Sequence, residues 1–104
     1  MMKRVFILQP STRQEKKWMV DEVDNQEFKT VHFGSASYQS YPDHKNPLRK
    51  KAYIQRHKKN ENWNKSGIDT SGFWARWLLW NLPTLEDSIK DIEERFDVEI
   101  KLIN

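Results

Sequence analysis

The sequence predicts a small α+β domain with an N-terminal β-hairpin within three strands, three helices packed on one face of the sheet, and a C-terminal strand. Three observations support this class. Short apolar runs separated by polar turns occupy the first third, apolar residues recur at helical spacing in the second half, and strict alternation marks the end. The chain has 104 residues, the size of one domain, so we expect residues 1–104 to form a single unit.

The first third contains three candidate strands. Residues 5–8 form an apolar run that is too short for a helix and is followed closely by Pro10, so they predict a buried strand. Residues 17–23 and 28–33 flank the polar segment 24–27, and this arrangement predicts a β-hairpin. We expect residues 34–42, which are rich in serine and tyrosine, to form a loop.

The first helix is predicted over residues 47–59. Asn46 is a favourable N-cap, and the proline after it suits the first helical position. The apolar residues of this segment make no clean stripe. We therefore expect a surface helix that is held by Leu48 and Ala52, with Tyr53 at the margin of the contact.

The second helix is predicted over residues 71–81 and differs in kind, because it is apolar nearly all round and ends before Pro83. Such a helix belongs in a core, and a protein–protein interface is the alternative because tryptophan is common in interface hot spots. Its only charge is Arg76. An unpaired buried charge is costly, so we expect Arg76 to pair with Asp91 or Glu94.

The last third predicts a further helix and the final strand. Thr84 is a candidate N-cap, and Asp87 completes an approximate capping box. Apolar residues then recur at helical spacing up to Phe96, whereas residues 98–102 alternate between apolar and charged side chains. The predicted order is β-β-β-α-α-α-β.

Charge is distributed unevenly along the chain. Residues 1–43 carry six basic and six acidic side chains, residues 44–65 carry eight basic side chains against Glu61 alone, and residues 66–104 carry four basic and eight acidic ones. The basic middle segment would attract a phosphate backbone, and we expect contacts to nucleic acid without base-specific readout. The candidate contacts are Lys45, Arg49, Lys50, Arg56, Lys58 and Lys59.

Aromatic residues interleave this basic segment: Tyr38, Tyr41, Tyr53 and Trp63. An exposed ring can stack on an unpaired base. The alternative is that the rings pack inward beneath a solvated basic helix, and the sequence leaves both possibilities open.

Several kinds of site are disfavoured by composition. The chain has no cysteine, which excludes disulfides, thiolate metal sites and a cysteine nucleophile. Its three histidines lack metal-ligand spacing, and its three glycines form no phosphate-binding loop. We therefore expect a non-enzymatic protein with no metal, no cofactor and no small-molecule substrate. No run is long enough to span a membrane and no signal peptide is evident, so we expect no membrane association and no secretion.

The middle of the chain, about residues 30–90, contains in order the motifs Val31-His32-Phe33-Gly34, His44-Lys45, Arg56-His57 and Gly72-Phe73-Trp74-Ala75-Arg76-Trp77-Leu78-Leu79-Trp80. In these motifs it resembles a family of short proteins encoded by large DNA viruses of algae and amoebae and by some tailed bacteriophages. The chain departs from the family pattern at Asn46-Pro47, where an acidic residue usually follows the lysine, and at Ala75, where serine is usual. The resemblance implies a viral or phage origin and transfers no catalytic residue.

Two classes of function follow from these expectations. The first is a virion component, either a minor capsid-associated or a packaged protein, that contacts nucleic acid or neighbouring shell proteins. The second is an intracellular regulator or nuclease-accessory enzyme of infection that uses His44 or His57. The sequence favours the first class because its strong features are core or charge, and it predicts localisation in the virion or the host-cell cytoplasm.

Overall fold

The computed structural model describes residues 3–103, and within them one sheet of four strands is covered by helices. The strands are β1 (Arg4–Pro10), β2 (Lys16–Glu22), β3 (Val31–Ser35) and β4 (Val98–Leu102). The helices are α1 (Tyr41–His44), α2 (Pro47–His57), α3 (Ser71–Trp74), which continues as a π-helical turn (Ala75–Leu79), and α4 (Leu85–Phe96), with a 3₁₀ turn at Lys65–Gly67. The α+β prediction is confirmed.

The sheet is mixed, with the strand order β3-β2-β1-β4. The β1–β2 and β2–β3 pairs are antiparallel, whereas β4 runs parallel to β1. Alternation along each strand sends one set of side chains to the helices. Phe6 lies opposite Ile100 on β4, and Leu8 lies opposite Val20 on β2; all four are buried. The predicted C-terminal strand is therefore the parallel edge strand of the sheet.

Trp74 lies at the centre of the core. Its side chain is 0% exposed and it packs edge-on against Phe6, with the ring centroids 5.2 Å apart. Its indole Nε1 donates to the carbonyl oxygen of Ile68 at 2.7 Å, so the polar atom is satisfied where water is excluded. Trp77 is also buried, and its Nε1 donates to the Trp63 carbonyl oxygen at 3.0 Å. The core interpretation of this segment is confirmed for both residues.

The bounds of the first strands differ from the prediction. β1 includes Arg4 and continues to Pro10, so it is longer than residues 5–8. β3 begins only at Val31, and Phe28 belongs to the connection before it. Phe28 nevertheless packs against Phe6, with the ring centroids 5.6 Å apart, so its apolar character reflects core packing rather than strand pairing.

A short helix, α1, replaces the end of the predicted loop. Ser40 and Asp43 form a reciprocal capping box, in which the Ser40 backbone N–H donates to Asp43 Oδ2 at 2.8 Å. The helix ends at Lys45, which takes a left-handed conformation with φ of 52°. The single turn redirects the chain into α2, whose cap is as predicted: Asn46 Oδ1 accepts from the backbone N–H of Leu48 at 2.9 Å.

The tryptophan-rich segment is not one continuous α-helix. Thr70 caps α3, and after one turn the backbone widens into the π-helical turn, where the Trp80 N–H donates to the Ala75 carbonyl oxygen at 3.1 Å. A π-helical turn holds more residues than an α-helical turn and shifts the side chains that follow it. Trp80 thereby comes to lie against α2 while Trp74 remains over the sheet.

Arg76 does not form the expected carboxylate pair. Its Nη1 donates to the Trp80 carbonyl oxygen at 2.8 Å, and its guanidinium carbon lies 4.4 Å from the centre of the Trp77 ring. Asp91 instead accepts from Arg95 and Asn81. Burial lowers the pKa of Arg76 from its ordinary value. The charge is thus stabilised by a carbonyl dipole and an aromatic face, neither of which leaves a signal in the sequence.

The final helix begins at its predicted N-cap, and of the expected capping box the described residues form only the Thr84 half. The Thr84 hydroxyl accepts from the backbone N–H of Asp87 at 3.2 Å, and α4 presents Ile92, which is fully buried, to the core. The helix ends at Asp97 in a left-handed conformation with φ of 56°, and the chain turns directly into β4.

Candidate functional site

A groove of about 650 Å³ separates α2 from the end of β3 and the loop that follows it. Its volume is in the usual range of ligand-binding clefts. One wall of the groove is α2. The opposite wall consists of β2, β3 and the loop after β3, and the π-helical turn forms the base. The lining residues are Lys17, Gly34, Ser35, Tyr38, Gln39, Ser40, Arg49, Ala52, Tyr53, Arg56, His57, Ala75, Leu79 and Trp80.

A stack of three aromatic rings attaches α2 to the rest of the molecule. The centroids of the Tyr53 and Trp80 rings are 4.5 Å apart, and the two ring planes are 5° apart. The centroids of the Tyr53 and His57 rings are 4.2 Å apart, at an interplanar angle of 24°. Two rings cannot share one face of Tyr53 at such distances, so Tyr53 lies between them. Burial raises the pKa of the Tyr53 phenol.

The expected anchoring of α2 is wrong for Leu48 and Tyr53, whereas Ala52 is half-buried as expected. Leu48, predicted to hold the helix, is 76% exposed, whereas Tyr53, predicted at the margin, is only 7% exposed. The larger ring buries more apolar area and gains a stacking partner. The face of α2 that carries Tyr53 therefore points inward, and this places Arg49 and Arg56 at the groove.

Arg49 and Arg56 are the free positive charges of the groove. Both are exposed, and neither forms a salt bridge with any residue between positions 3 and 103. Arg49 reaches the Gln39 side chain only at 3.5 Å, from Nη1 to Oε1. Seven residues of α-helix place the two Cα atoms about 10 Å apart along the axis. The pair therefore offers two separate positions to an extended anion.

The opposite wall is electrostatically satisfied. Lys17 Nζ lies 3.2 Å from Asp43 Oδ2 and donates to the Ser40 hydroxyl at 3.3 Å. The Ser40 backbone N–H and the Lys17 ammonium hold the pKa of Asp43 below its ordinary value. Because Lys17 is paired within the protein, the excess positive charge of the groove comes from α2.

The structure separates the six predicted phosphate contacts into three groups. Arg49 and Arg56 line the groove. Lys45, Lys58 and Lys59 are exposed at the two ends of α2, outside the groove lining. Lys50 points inward: its Nζ donates to the Asn81 carbonyl oxygen and lies 5.1 Å from the centre of the Tyr41 ring. Burial, and secondarily the charge of Arg76, lowers the pKa of Lys50. Because its ammonium is bound to a backbone carbonyl inside the protein, Lys50 is not placed to contact a phosphate in the groove.

The alternatives for the four interleaved aromatics are also resolved. Tyr53 is buried, and Tyr41 and Trp63 are half-buried. Tyr38 is 75% exposed and lines the groove. Three of the four rings pack inward, and Tyr38 alone remains available for stacking.

The two histidines near α2 take part in local packing. His44 Nδ1 accepts from the Asn46 backbone N–H at 3.0 Å, and its ring lies 5.4 Å from that of Trp80. Burial, followed by the charge of Arg49, lowers the pKa of His44. His57 Nδ1 lies 3.4 Å from Glu61 Oε1. Among residues 3–103, no three side chains of the His, Asp and Glu types are grouped to hold a metal ion.

Sequence reasoning missed the wall formed by Lys17, Gly34 and Ser40. Lys17 is separated from α2 by some 30 residues of chain, so no local pattern connects them. The one usable signal is Gly34, whose φ of +78° favours glycine. A Cβ at this position would lie 2.6 Å from Leu79 Cδ1, so the missing side chain allows the π-helical turn to approach β3.

No helix in the part of the chain from residue 3 to residue 103 has the length and apolar character needed to cross a membrane. Searches of curated proteins and of solved structures gave no match to this chain. A family described as a family of unknown function (DUF5754) matches residues 6–57, which run from β1 to the end of α2 and include most of the groove. Since the match covers half of the 104 residues, the chain belongs to the DUF5754 family.

Proposed function

We propose that this protein is a non-catalytic binding module that holds the phosphate backbone of a nucleic acid along α2 and the adjacent groove. The observation that carries the proposal is the pair of exposed arginines, Arg49 and Arg56, that lack a carboxylate partner among residues 3–103. Arginine binds phosphate through a planar array of donors that suits two oxygens at once. The groove between the walls gives the anion a defined position.

The charge around the pair supports an external anion. Lys45, Lys58 and Lys59 extend the positive surface at both ends of α2. Among residues 3–103, no salt bridge joins an acidic residue of the C-terminal third to the basic segment; Asp91 pairs with Arg95, and Asp97 pairs with Lys3. When such a positive segment binds a nucleic acid, its side chains displace counterions condensed on the phosphates, and the release of these counterions favours binding.

The proposal includes a setting, a virus or phage particle in which the chain is a minor component. The resemblance of the motifs Val31-His32-Phe33-Gly34 and Arg56-His57 to proteins of large DNA viruses and tailed phages supports it. Neighbouring shell proteins are the second class of partner in that setting. Mass spectrometry of purified particles of the encoding virus tests the setting separately: stoichiometric presence supports it, and absence overturns it without affecting nucleic-acid binding.

Fluorescence anisotropy tests the binding itself. Labelled duplex and single-stranded DNA are titrated with the full chain between about 50 and 200 mM salt. With four phosphates neutralised, we expect log K to fall with log[salt] at a slope of about −3 to −4. The double variant R49E/R56E should lower affinity at least tenfold and reduce the slope by about two units. Absence of binding at low salt overturns the proposal.

A matched control separates the groove from net charge. The variant K90E/K101E changes the overall charge by the same amount, at two exposed positions on α4 and β4 outside the groove lining. We expect it to weaken binding by much less than R49E/R56E. Equal losses from both variants would show that only the net charge of the protein matters, and the groove would lose its role.

A further inference from the structure

We infer that the groove accommodates an unpaired nucleotide, so that this protein binds single-stranded nucleic acid in preference to duplex. The inference rests on the proposed function and identifies the kind of nucleic acid that the site accepts. It is carried by the position of one residue, Tyr38, which is 75% exposed and lines the groove. A ring left in water beside two free arginines combines the two features by which proteins hold single strands: a cationic track and a stacking platform.

The exposure of Tyr38 needs an explanation because the other rings of this region are packed. Tyr53 lies within the stack between Trp80 and His57, and Tyr41 lies beside the ammonium of Lys50. Tyr38 takes part in none of the aromatic pairs formed by residues 3–103. An unpaired base would cover it and remove apolar area from water.

The size and polarity of the groove suit a nucleotide. A volume of about 650 Å³ exceeds what a phosphate ion needs and lies in the range of sites for small organic ligands. Apolar groups line the base at Ala75 and Leu79, whereas the arginines lie on α2. A base against the apolar and aromatic surface would leave the flanking phosphates near Arg49 and Arg56.

A duplex satisfies this geometry less well. Paired and stacked bases present only their edges in the grooves, so their ring faces cannot reach Tyr38. A duplex can still contact the arginines through its backbone. We therefore expect both forms to bind through their phosphates, and only the single strand to gain further affinity by stacking a base on Tyr38.

The test compares three labelled probes of equal length by fluorescence anisotropy: a single-stranded oligothymidylate, an abasic single strand and a duplex. For the full chain, we expect the oligothymidylate to bind about tenfold more tightly than the abasic strand or the duplex. Replacement Y38A should remove most of that advantage while leaving the affinities for the abasic strand and the duplex unchanged. Replacement Y38F, which keeps the ring, should retain it. Because Tyr38 is exposed, both variants are expected to fold.

The outcomes distinguish this inference from the proposed function. If the three probes bind equally and Y38A changes nothing, while R49E/R56E still weakens all of them, the base site is wrong and backbone binding stands. If no probe binds at low salt, both are wrong. If an acidic peptide such as oligoglutamate binds more tightly than the oligothymidylate and depends on the arginines, the groove recognises a protein segment and the inference is overturned.

Discussion

Trp74 and Trp80 lie six residues apart in the same segment but belong to two different kinds of surroundings. Trp74 is fully buried over the sheet, and its indole N–H donates to a backbone carbonyl. Trp80 is half-exposed and lies at the groove, where its ring stacks on Tyr53 of α2. We call these two regions the core side and the groove side of the segment.

The same contrast holds for charge. At the margin of the core side, Arg4 donates from Nε and Nη2 to the two carboxylate oxygens of Glu22 at 2.8 and 2.7 Å, and the Glu22 side chain is only 7% exposed. On the groove side, Arg49 and Arg56 have no carboxylate partner among residues 3–103. A charge that is paired inside the protein contributes to its stability, whereas an exposed charge without a protein partner exchanges its water for a ligand at small cost to the fold.

The largest expected effect separates the two tryptophans. Trp74→Ala should lower the free energy of unfolding by about 3–5 kcal/mol, because it leaves a cavity and an unpaired Ile68 carbonyl oxygen. Trp80→Ala should cost about 2 kcal/mol, because its ring is only half-buried. Urea unfolding measures both. Equal losses would contradict the distinction between the core side and the groove side.

The contact between the groove wall and the π-helical turn gives the next effect. Gly34→Ala should destabilise the protein by about 1–3 kcal/mol, since its φ is +78° and a Cβ would lie 2.6 Å from Leu79 Cδ1. Gly72→Ala is the matched control: the three atoms nearest to its Cβ would all belong to the flexible side chain of Glu61, and its φ is not in the left-handed region. We expect the control to change stability by less than about 1 kcal/mol. A tolerated Gly34→Ala, with an unchanged thermal midpoint, would argue against this close approach.

The paired charge of the core side should show in the pH dependence of stability. Hydrogen bonding to Arg4, and further to Asn25, holds the pKa of Glu22 below its ordinary value. A lowered carboxyl pKa contributes stability above the unfolded value of about 4.3 and loses it as the pH falls through the folded value. Between pH 7 and pH 3, the free energy of unfolding of the Glu22→Gln variant should therefore fall by less than that of the unmodified protein. The Glu86→Gln variant, changed at an exposed site on α4, should show the same pH dependence as the unmodified protein. If the plots of unfolding free energy against pH were parallel for all three proteins, Glu22 would not contribute to the pH dependence of stability.

The smallest expected effect on stability is on the groove side. Arg49→Ala and Arg56→Ala should each change the free energy of unfolding by no more than about 0.5 kcal/mol, because both side chains are exposed and without salt bridges among residues 3–103. Thermal unfolding at low and high salt measures this. A loss above 1 kcal/mol would mean that these arginines hold α2 in place and are structural.

Local patterns accounted for most of the secondary structure. The caps Asn46 and Thr84 bind the backbone N–H groups that they were expected to bind, because capping involves residues only two or three positions apart. The alternation of residues 98–102 likewise matched β4, since a strand with one buried face has a period of two. α1 was missed although its capping box joins Ser40 and Asp43, because one turn is too short to show an apolar period.

The identities of the contacts across the groove depended on the tertiary structure. The apolar pattern predicted that Leu48 and Ala52 hold α2, with Tyr53 at the margin. The stack with Trp80 instead buries Tyr53 and leaves Leu48 exposed. Arg76 was expected to find a carboxylate and instead found a carbonyl oxygen and an indole face. Carbonyls and ring faces occur throughout any chain, so no residue type indicates in advance which of them will be near.

By itself, therefore, the sequence determined the α+β class, the starts of α2, α3 and α4, a preference for burying the tryptophan-rich segment and the positive charge of residues 44–65. Only the tertiary structure decided that Arg49 and Arg56 face a groove, that Lys50 turns inward to Asn81 and that Tyr38 remains exposed. The physical reason is the range of the interactions. Hydrogen-bonded turns and apolar periodicity act between near neighbours in the chain, whereas the groove joins walls from β2, β3, α2 and the π-helical turn, which meet only when the core has packed.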